Sequence, residues 1–228
     1  GDVDVDASSD AREIEGLSQL RSLTPSITVN TRDSTVNPTE GWSANAGTEV
    51  AGHFMGGDYN FAKTRLDADY HIPLHTTPRR FRHVLSMGAT FGWMGPNGRD
   101  SDVPIFERFF AGGGGTAGLR GFAFRRVGPR ENEDPIGGRA IFLGQCEYGF
   151  PLYEQLLRGA LFVDAGDLEP TLRDLAMNRM RYSTGLGMRF SIPALGGGAP
   201  LALYYGVPLR DLSGDERRSI TFAIGFPF

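Results

Sequence analysis

The stretch FAKTRLDADYHI, residues 61–72, separates its side chains by alternate positions. Ala62, Thr64, Leu66, Ala68, Tyr70 and Ile72 fall on one side of an extended chain, and Lys63, Arg65, Asp67 and Asp69 on the other. A helix would scatter both sets around its axis, whereas a pleated strand, whose side chains repeat every two residues, keeps them apart. The following segment, RRFRHVLSMGATFGW at 79–93, does the same: Phe81, Leu85, Met87, Ala89, Phe91 and Trp93 oppose Arg80, Arg82, Ser86, Gly88, Thr90 and Gly92. RYSTGLGMRFSI at 181–192 repeats the pattern, with Tyr182, Thr184, Leu186, Met188, Phe190 and Ile192 against Arg181, Ser183, Gly185, Gly187, Arg189 and Ser191. Reading outward from these segments predicts nine strands, at about 23–33, 41–53, 59–72, 80–94, 137–150, 157–166, 180–192, 199–208 and 217–228.

The connections are unequal. STVNPTE, PLHTTPR, PLYEQL and PALGGGA are short, while residues 95–136 form the longest link. Short turns at one end and long loops at the other are the habit of antiparallel up-and-down barrels in membranes. No run of residues approaches the roughly 18 apolar positions of a spanning helix, but barrel strands need only about 9–11 residues and bury every second one. A soluble β-sandwich shares the alternation, although strands of this length exceed its usual five or six. Trp42, Trp93, Tyr148, Phe150, Phe226 and Phe228 lie near strand ends, as interface girdles require.

Composition removes other classes. With 23 Lys and Arg against 27 Asp and Glu the net charge is −4, and the arginines are scattered, which gives no basic field for nucleic acid. One cysteine, Cys146, excludes a disulfide framework and reads as a small apolar strand residue. His53, His71, His75 and His83 lack metal-ligand spacing, and ENED at 131–134 reads as the acidic crest of a loop. GGGGTAGL at 112–119 lacks the Lys-Ser/Thr ending of a phosphate-binding loop, and neither a nucleophile elbow nor a zinc-protease motif occurs. No catalytic constellation and no cofactor are expected. Residues 1–21, acidic and poor in apolar side chains, read as a loop segment preceding a strand region at 22–228.

PIFERFFAGGGGTAGLRGF, residues 104–122, resembles the sixth-loop signature of the BamA-type outer-membrane assembly barrels, with Leu119 where valine is usual in the core Leu119-Arg120-Gly121-Phe122. Other stretches are similar to the family in the same order. Asp33, Pro38, Thr39 and Gly41 resemble its periplasmic turn, Glu147 its strand after the loop, and Phe162, Asp164 and Gly166 its Phe-x-Asp-x-Gly strand. FAIGFPF at 222–228 resembles its closing strand.

The resemblance implies an all-β transmembrane barrel of sixteen strands, of which these nine are the C-terminal part. Because an open sheet leaves unpaired edges that lipid does not tolerate, the chain reads as a portion of a longer protein preceded by POTRA domains. It implies that the loop at 95–136 lies in the lumen, with Arg120, Gly121 and Phe122 against Glu147, Phe162, Asp164 and Gly166. It also implies a lateral seam at Phe222, Ile224, Gly225, Phe226 and Phe228, where Pro227 removes a ladder donor. The implied task is insertion of other β-barrel proteins into the bacterial outer membrane. Its partners would be unfolded barrel clients, outer-membrane lipid and assembly-complex lipoproteins, with no nucleic acid. A two-partner-secretion or autotransporter-assembly barrel and a passive diffusion porin are the alternatives. Lys63, Arg65, Asp67 and Asp69 are expected to be solvated wall residues.

Overall fold

A computed structural model of the chain describes residues 18–77, 81–97, 103–114, 118–153, 156–190 and 201–224. Its wall consists of β1 (Ser22–Leu23), β2 (Ser26–Asn30), β3 (Gly41–Ala51), β4 (Phe61–Thr76) and β5 (Arg82–Pro96). It continues after a long insertion with β9 (Ala140–Tyr153), β10 (Leu157–Glu169), β11 (Arg181–Phe190), β12 (Leu201–Arg210) and β14 (Ile220–Ile224). The insertion holds β6 (Gly121–Phe122), β7 (Arg130–Glu131) and β8 (Asp134–Pro135), and β13 (Arg217–Arg218) precedes the last wall strand. Neighbours in the 10-stranded sheet follow chain order, β1-β3-β4-β5-β9-β10-β11-β12-β14, with β2 also on β3. Every pairing is antiparallel, so the up-and-down architecture is what the alternating segments build. The described sheet is open, with β1 and β2 at one edge and β14 at the other.

β1 and β2 are two pieces of one strand. Leu23 lies opposite Val50 and Ser26 opposite Gly47, an unbroken register. The interruption falls at Pro25, which has no N–H for the ladder but whose carbonyl still accepts from Thr48 N at 3.1 Å. Several strands run past the sequence expectation, β4 to Thr76, β9 to Tyr153 and β10 to Glu169 among them. The last strand is not one segment from 217. Arg217 and Arg218 turn away from the wall and pair with Phe122 and Gly121 of the insertion, and the wall ladder resumes at Ile220. Gly225, Phe226, Pro227 and Phe228 lie outside the described residues.

The two faces of the sheet differ in what covers them. One is bare and apolar: Ile27, Leu66, Tyr70, Met87, Leu161, Val163, Leu186, Leu203, Tyr205 and Phe222 are all exposed, Leu161 and Val163 to half their surface. Cys146 is exposed on this face too, between Met87 and Val163 on the flanking strands. A contiguous apolar surface of this extent is costly in water and suits hydrocarbon.

Aromatics mark both ends of it. Trp42 sits opposite Tyr70 near the short turns, where Tyr148 stacks on Phe150, and Phe91 and Trp93 lie toward the long loops. Trp93 is opposite Thr64, six residues along β4 from Tyr70, so the bands are about 20 Å apart at 3.3–3.4 Å per residue. That spacing approaches the height of the apolar belt of membrane barrels.

The other face carries the insertion. Phe61, Met94, Ile141, Leu143 and Leu168 of the wall pack with Val103, Phe109, Ala111, Leu119, Phe122 and Val127 of the insertion in one buried cluster. The ENED segment forms the turn between β7 and β8, with Asn132 at φ 48° and Glu133 at φ 67°, the positive-φ pair of a tight hairpin.

Candidate functional site

Arg120 is fully buried between the insertion and the wall. β10 presents Phe162, Asp164 and Gly166 to the insertion, and β9 presents Glu147 directly opposite Phe162. Asp164 accepts three hydrogen bonds from Arg120, from the backbone N at 3.0 Å, Nε at 2.8 Å and Nη2 at 2.6 Å. Glu147 Oε2 accepts from Nη1 at 2.5 Å. The guanidinium carbon stands 3.7 Å from the centre of the Phe162 ring and 4.7 Å from that of Tyr204, and the two rings meet edge-on. A planar fork satisfied by two carboxylates and flanked by two aromatic rings set at right angles is a site that lysine cannot reproduce. Burial disfavours the charge of Arg120, but the hydrogen bonds and charge of Asp164, with the charge of Glu147, outweigh it and hold the guanidinium above its ordinary value.

Glu147 is shared. Its Oε1 lies 2.5 Å from Arg189 Nη2 of β11, while Arg189 Nε donates to the Tyr204 hydroxyl at 2.8 Å. The residues flanking Arg120 fix the backbone around it. Gln145 donates to the Gly118 carbonyl at 2.9 Å, and Leu119 is buried in the apolar cluster. Gly121 has φ +92°, and Gly206 of β12 comes so close that a Cβ there would lie 2.6 Å from Gly121 N. Two glycines therefore let the loop backbone lie directly on the wall. Phe122 is fully buried beside Leu119.

Beyond Phe122 the insertion is stitched to the last hairpin. Ala123 N donates to Glu216 O at 2.8 Å, Glu216 N to Arg126 O at 3.2 Å, and Gly128 N to Asp215 Oδ1 at 3.2 Å. Asp215 is in turn paired with Arg181 at 2.9 Å, and Arg181 with Asp167 at 2.6 Å. Earlier in the insertion, a Cβ on Gly114 would lie 2.8 Å from Thr221 of β14. Gly114 thus rests against the last strand, beside Thr221 and Ala223.

Of the seam residues, Phe222 is exposed on the bare face and lies opposite Leu203, and Ile224 ends the described strand opposite Leu201. Of the wall charges expected to be solvated, Arg65 and Asp67 keep 34% of their side-chain surface exposed, whereas Lys63 is covered by the insertion and Asp69 by its neighbours. Lys63 binds Glu107 of the insertion at 3.1 Å, Arg65 pairs with Asp67 at 2.8 Å, and Asp69 is held by Arg32 and Ser43. His71 is buried between Asp69 and Ser86, at 3.0 and 2.8 Å. Sequence reasoning missed Arg189, Tyr204, Gly206 and the cluster of Arg181, Asp167 and Asp215. Arg181 and Arg189 stood on the polar side of an alternating strand, which signalled their facing but not their partners.

Comparison with known proteins agrees with this architecture. The model of the Omp85 superfamily domain matches residues 4–228. The sorting and assembly machinery component 50 homologue of Mus musculus is 30% identical over 227 residues, covering 92% of this chain and 46% of that protein. The outer membrane protein assembly factor BamA of Nitratidesulfovibrio vulgaris is 30% identical over 225 residues, covering 97% of this chain and 27% of that protein. The crystal structure of BamA from Haemophilus ducreyi lacking POTRA domains 1-3 superposes with a TM-score of 0.75 at 25% identity, over 90% of this chain and 42% of that one. The chain spans less than half the length of the relatives it matches.

Proposed function

The chain belongs to the Omp85 superfamily, and from that premise we propose that it is the C-terminal wall and inner loop of a barrel that folds and inserts other β-barrel proteins into the bacterial outer membrane. The observation that carries this reading is the construction of the last strand. Among the described residues, β14 meets β12 from Leu201–Ile224 to Tyr205–Ile220. Its approach segment, β13, is bound to the loop instead of the wall, and the wall ladder starts only at Ile220. A last strand whose approach is drawn off the wall in this way can part from its neighbour and template an incoming strand by β-augmentation, the client's backbone donors and acceptors completing the edge. The clients would be unfolded barrel proteins, the surrounding solvent outer-membrane lipid, and the helpers lipoproteins of an assembly complex. No cofactor is required, because burying client strands is itself favourable.

The Arg120 contact braces the wall in this scheme. It fixes the loop on β9 and β10, and the loop holds β13 beside the last strand, so the wall keeps its shape while the seam opens. The test is complementation: in cells depending on the complete gene product with Arg120→Ala, the yield of folded outer-membrane barrels, read by heat-modifiable gel mobility, is expected to fall several-fold. Normal client yield together with unchanged ion conductance would assign the protein to passive diffusion instead. Sucrose-gradient fractionation of bacterial cells checks the location, with recovery in the outer-membrane fraction expected.

A further inference from the structure

Near its end β4 changes side. Pro73 lies opposite Val84 and His75 opposite His83, so Leu74 is an extra residue in the β4–β5 ladder. A bulge of this kind re-aims the side chains that follow it. Before it, odd-numbered positions of β4 such as Lys63 and His71 face the insertion side; after it, His75 stands on the opposite face against His83. His83 belongs to that face because it shares the parity of Met87, which is exposed, while the alternate residues Val84 and Ser86 are buried.

The two imidazoles meet directly, with ring centres 5.6 Å apart and planes at 62°. Two imidazoles on one tetrahedral Zn²⁺, with Zn–N of about 2.0–2.1 Å, hold their centres roughly 5 Å apart, so small ring rotations bring both onto one ion. Nδ1 of His83 lies 2.7 Å from the Tyr148 hydroxyl on β9, and those two rings are also in contact. With Nδ1 donating to that oxygen, Nε2 carries the free lone pair, the form in which histidine binds a metal. The ladder continues beyond the pair and holds it: Thr76 is opposite Arg82, and Thr77 N donates to Phe81 O at 2.8 Å while Phe81 N donates to Thr77 Oγ1 at 3.1 Å. His75 is exposed and His83 half-buried, between the Tyr70 aromatic band and the short turn that follows β4. Along the chain that turn separates the two histidines, and only the register unites them.

We propose that His75 and His83 form a cross-strand site for a divalent transition-metal ion of the Zn²⁺ class at the short-turn end of the wall, with Tyr148 as the residue that positions His83. No group of three or more His, Cys, Asp or Glu side chains able to hold a metal gathers among the described residues, so the site supplies two imidazoles and leaves the ion's other positions to water. Two nitrogen donors suit Zn²⁺, Cu²⁺ or Ni²⁺, whereas Ca²⁺ and Mg²⁺ take oxygen. A bound ion would clamp β4 to β5 at the bulge, where their ladder is irregular. The inference is independent of the assembly reading, since its readout is metal binding and not client yield.

The test uses the complete, untagged gene product in detergent, titrated with Zn²⁺ by calorimetry and with Cu²⁺ by electron paramagnetic resonance. One saturable Zn²⁺ equivalent is expected in the wild type and its loss in His75→Ala and in His83→Ala, with the Cu²⁺ spectrum passing from two coordinated imidazole nitrogens to one. Tyr148→Phe keeps both ligands and is expected to weaken binding about tenfold. Heat-modifiable gel mobility checks that each variant is folded; should one fail to fold, the wild-type Cu²⁺ spectrum decides, and a signal without two imidazole nitrogens overturns the proposal. Absence of saturable Zn²⁺ binding in the wild type overturns it without any variant, and an unchanged Zn²⁺ equivalent in folded His75→Ala overturns it equally.

Discussion

Arg120 engages Nε and Nη2 with Asp164 and Nη1 with Glu147, and its own backbone N–H also donates to Asp164. Removing one partner of a buried pair strands a charge, which costs about 3–5 kcal/mol. Arg120→Ala is expected to lower stability by that order, because Asp164 loses its cation and Glu147 one of its two. Asp164→Asn is expected to cost more than Glu147→Gln, since Asp164 accepts three of the four hydrogen bonds that Arg120 makes to the two carboxylates. Denaturant unfolding in detergent ranks the three, and equal losses for the two carboxylate variants would contradict this division of labour. Asp33 offers a milder case. Burial raises its carboxyl, but hydrogen bonds from Thr39 and Glu40 and the charge of Arg82 hold it below the usual carboxylate range. A depressed folded value stabilises above the unfolded one and is lost as pH falls through the folded value, so the 33–40 turn loosens below about pH 4. Amide exchange of Thr39 and Glu40 should rise there in the wild type and be high at every pH in Asp33→Ala.

The elements most dependent on one another are the insertion and the last hairpin. Gly206→Ala would push a methyl group into Gly121 N and lift β6 from the wall, an overpacking cost of about 1–3 kcal/mol. Phe122 and Arg217 are directly paired across β6 and β13, within the separation a disulfide bridges. If the loop and hairpin move as one body during client insertion, Phe122→Cys with Arg217→Cys, oxidised, keeps its client yield. If they must part, oxidation abolishes it and reduction restores it. The sequence showed these elements unequally. Alternation placed the wall strands because a pleat imposes it on every residue. The diversion of β13 was invisible because Arg217 and Arg218 carry no periodic signature, and their partner lies nearly a hundred residues earlier. Arg120, Glu147 and Asp164 could be brought together from sequence only through a family resemblance, while Arg189 and Tyr204 depend on a ladder register that no local pattern encodes.

At the scale of the whole molecule, the wall is a sheet with lipid for one core and its own chain for the other. The bare face gains nothing until a bilayer or detergent covers it, whereas the apolar cluster around Phe109, Leu119 and Leu168 is satisfied internally. Extracting detergent should therefore aggregate the protein while leaving the loop's amide protection intact, as exchange measured just before aggregation would show. Loss of loop protection first would reverse that ordering. The buried arginine also has a consequence in time. Its partners stand 27 and 44 residues away along the chain, while the bond from Gly128 to Asp215 closes a separation of 87. Loop closure costs more as the loop lengthens, so the insertion can settle on the β9–β10 hairpin before the last hairpin arrives. The chain then builds its lid and latch in a fixed order, and the latest strand to be placed is the one left easiest to exchange.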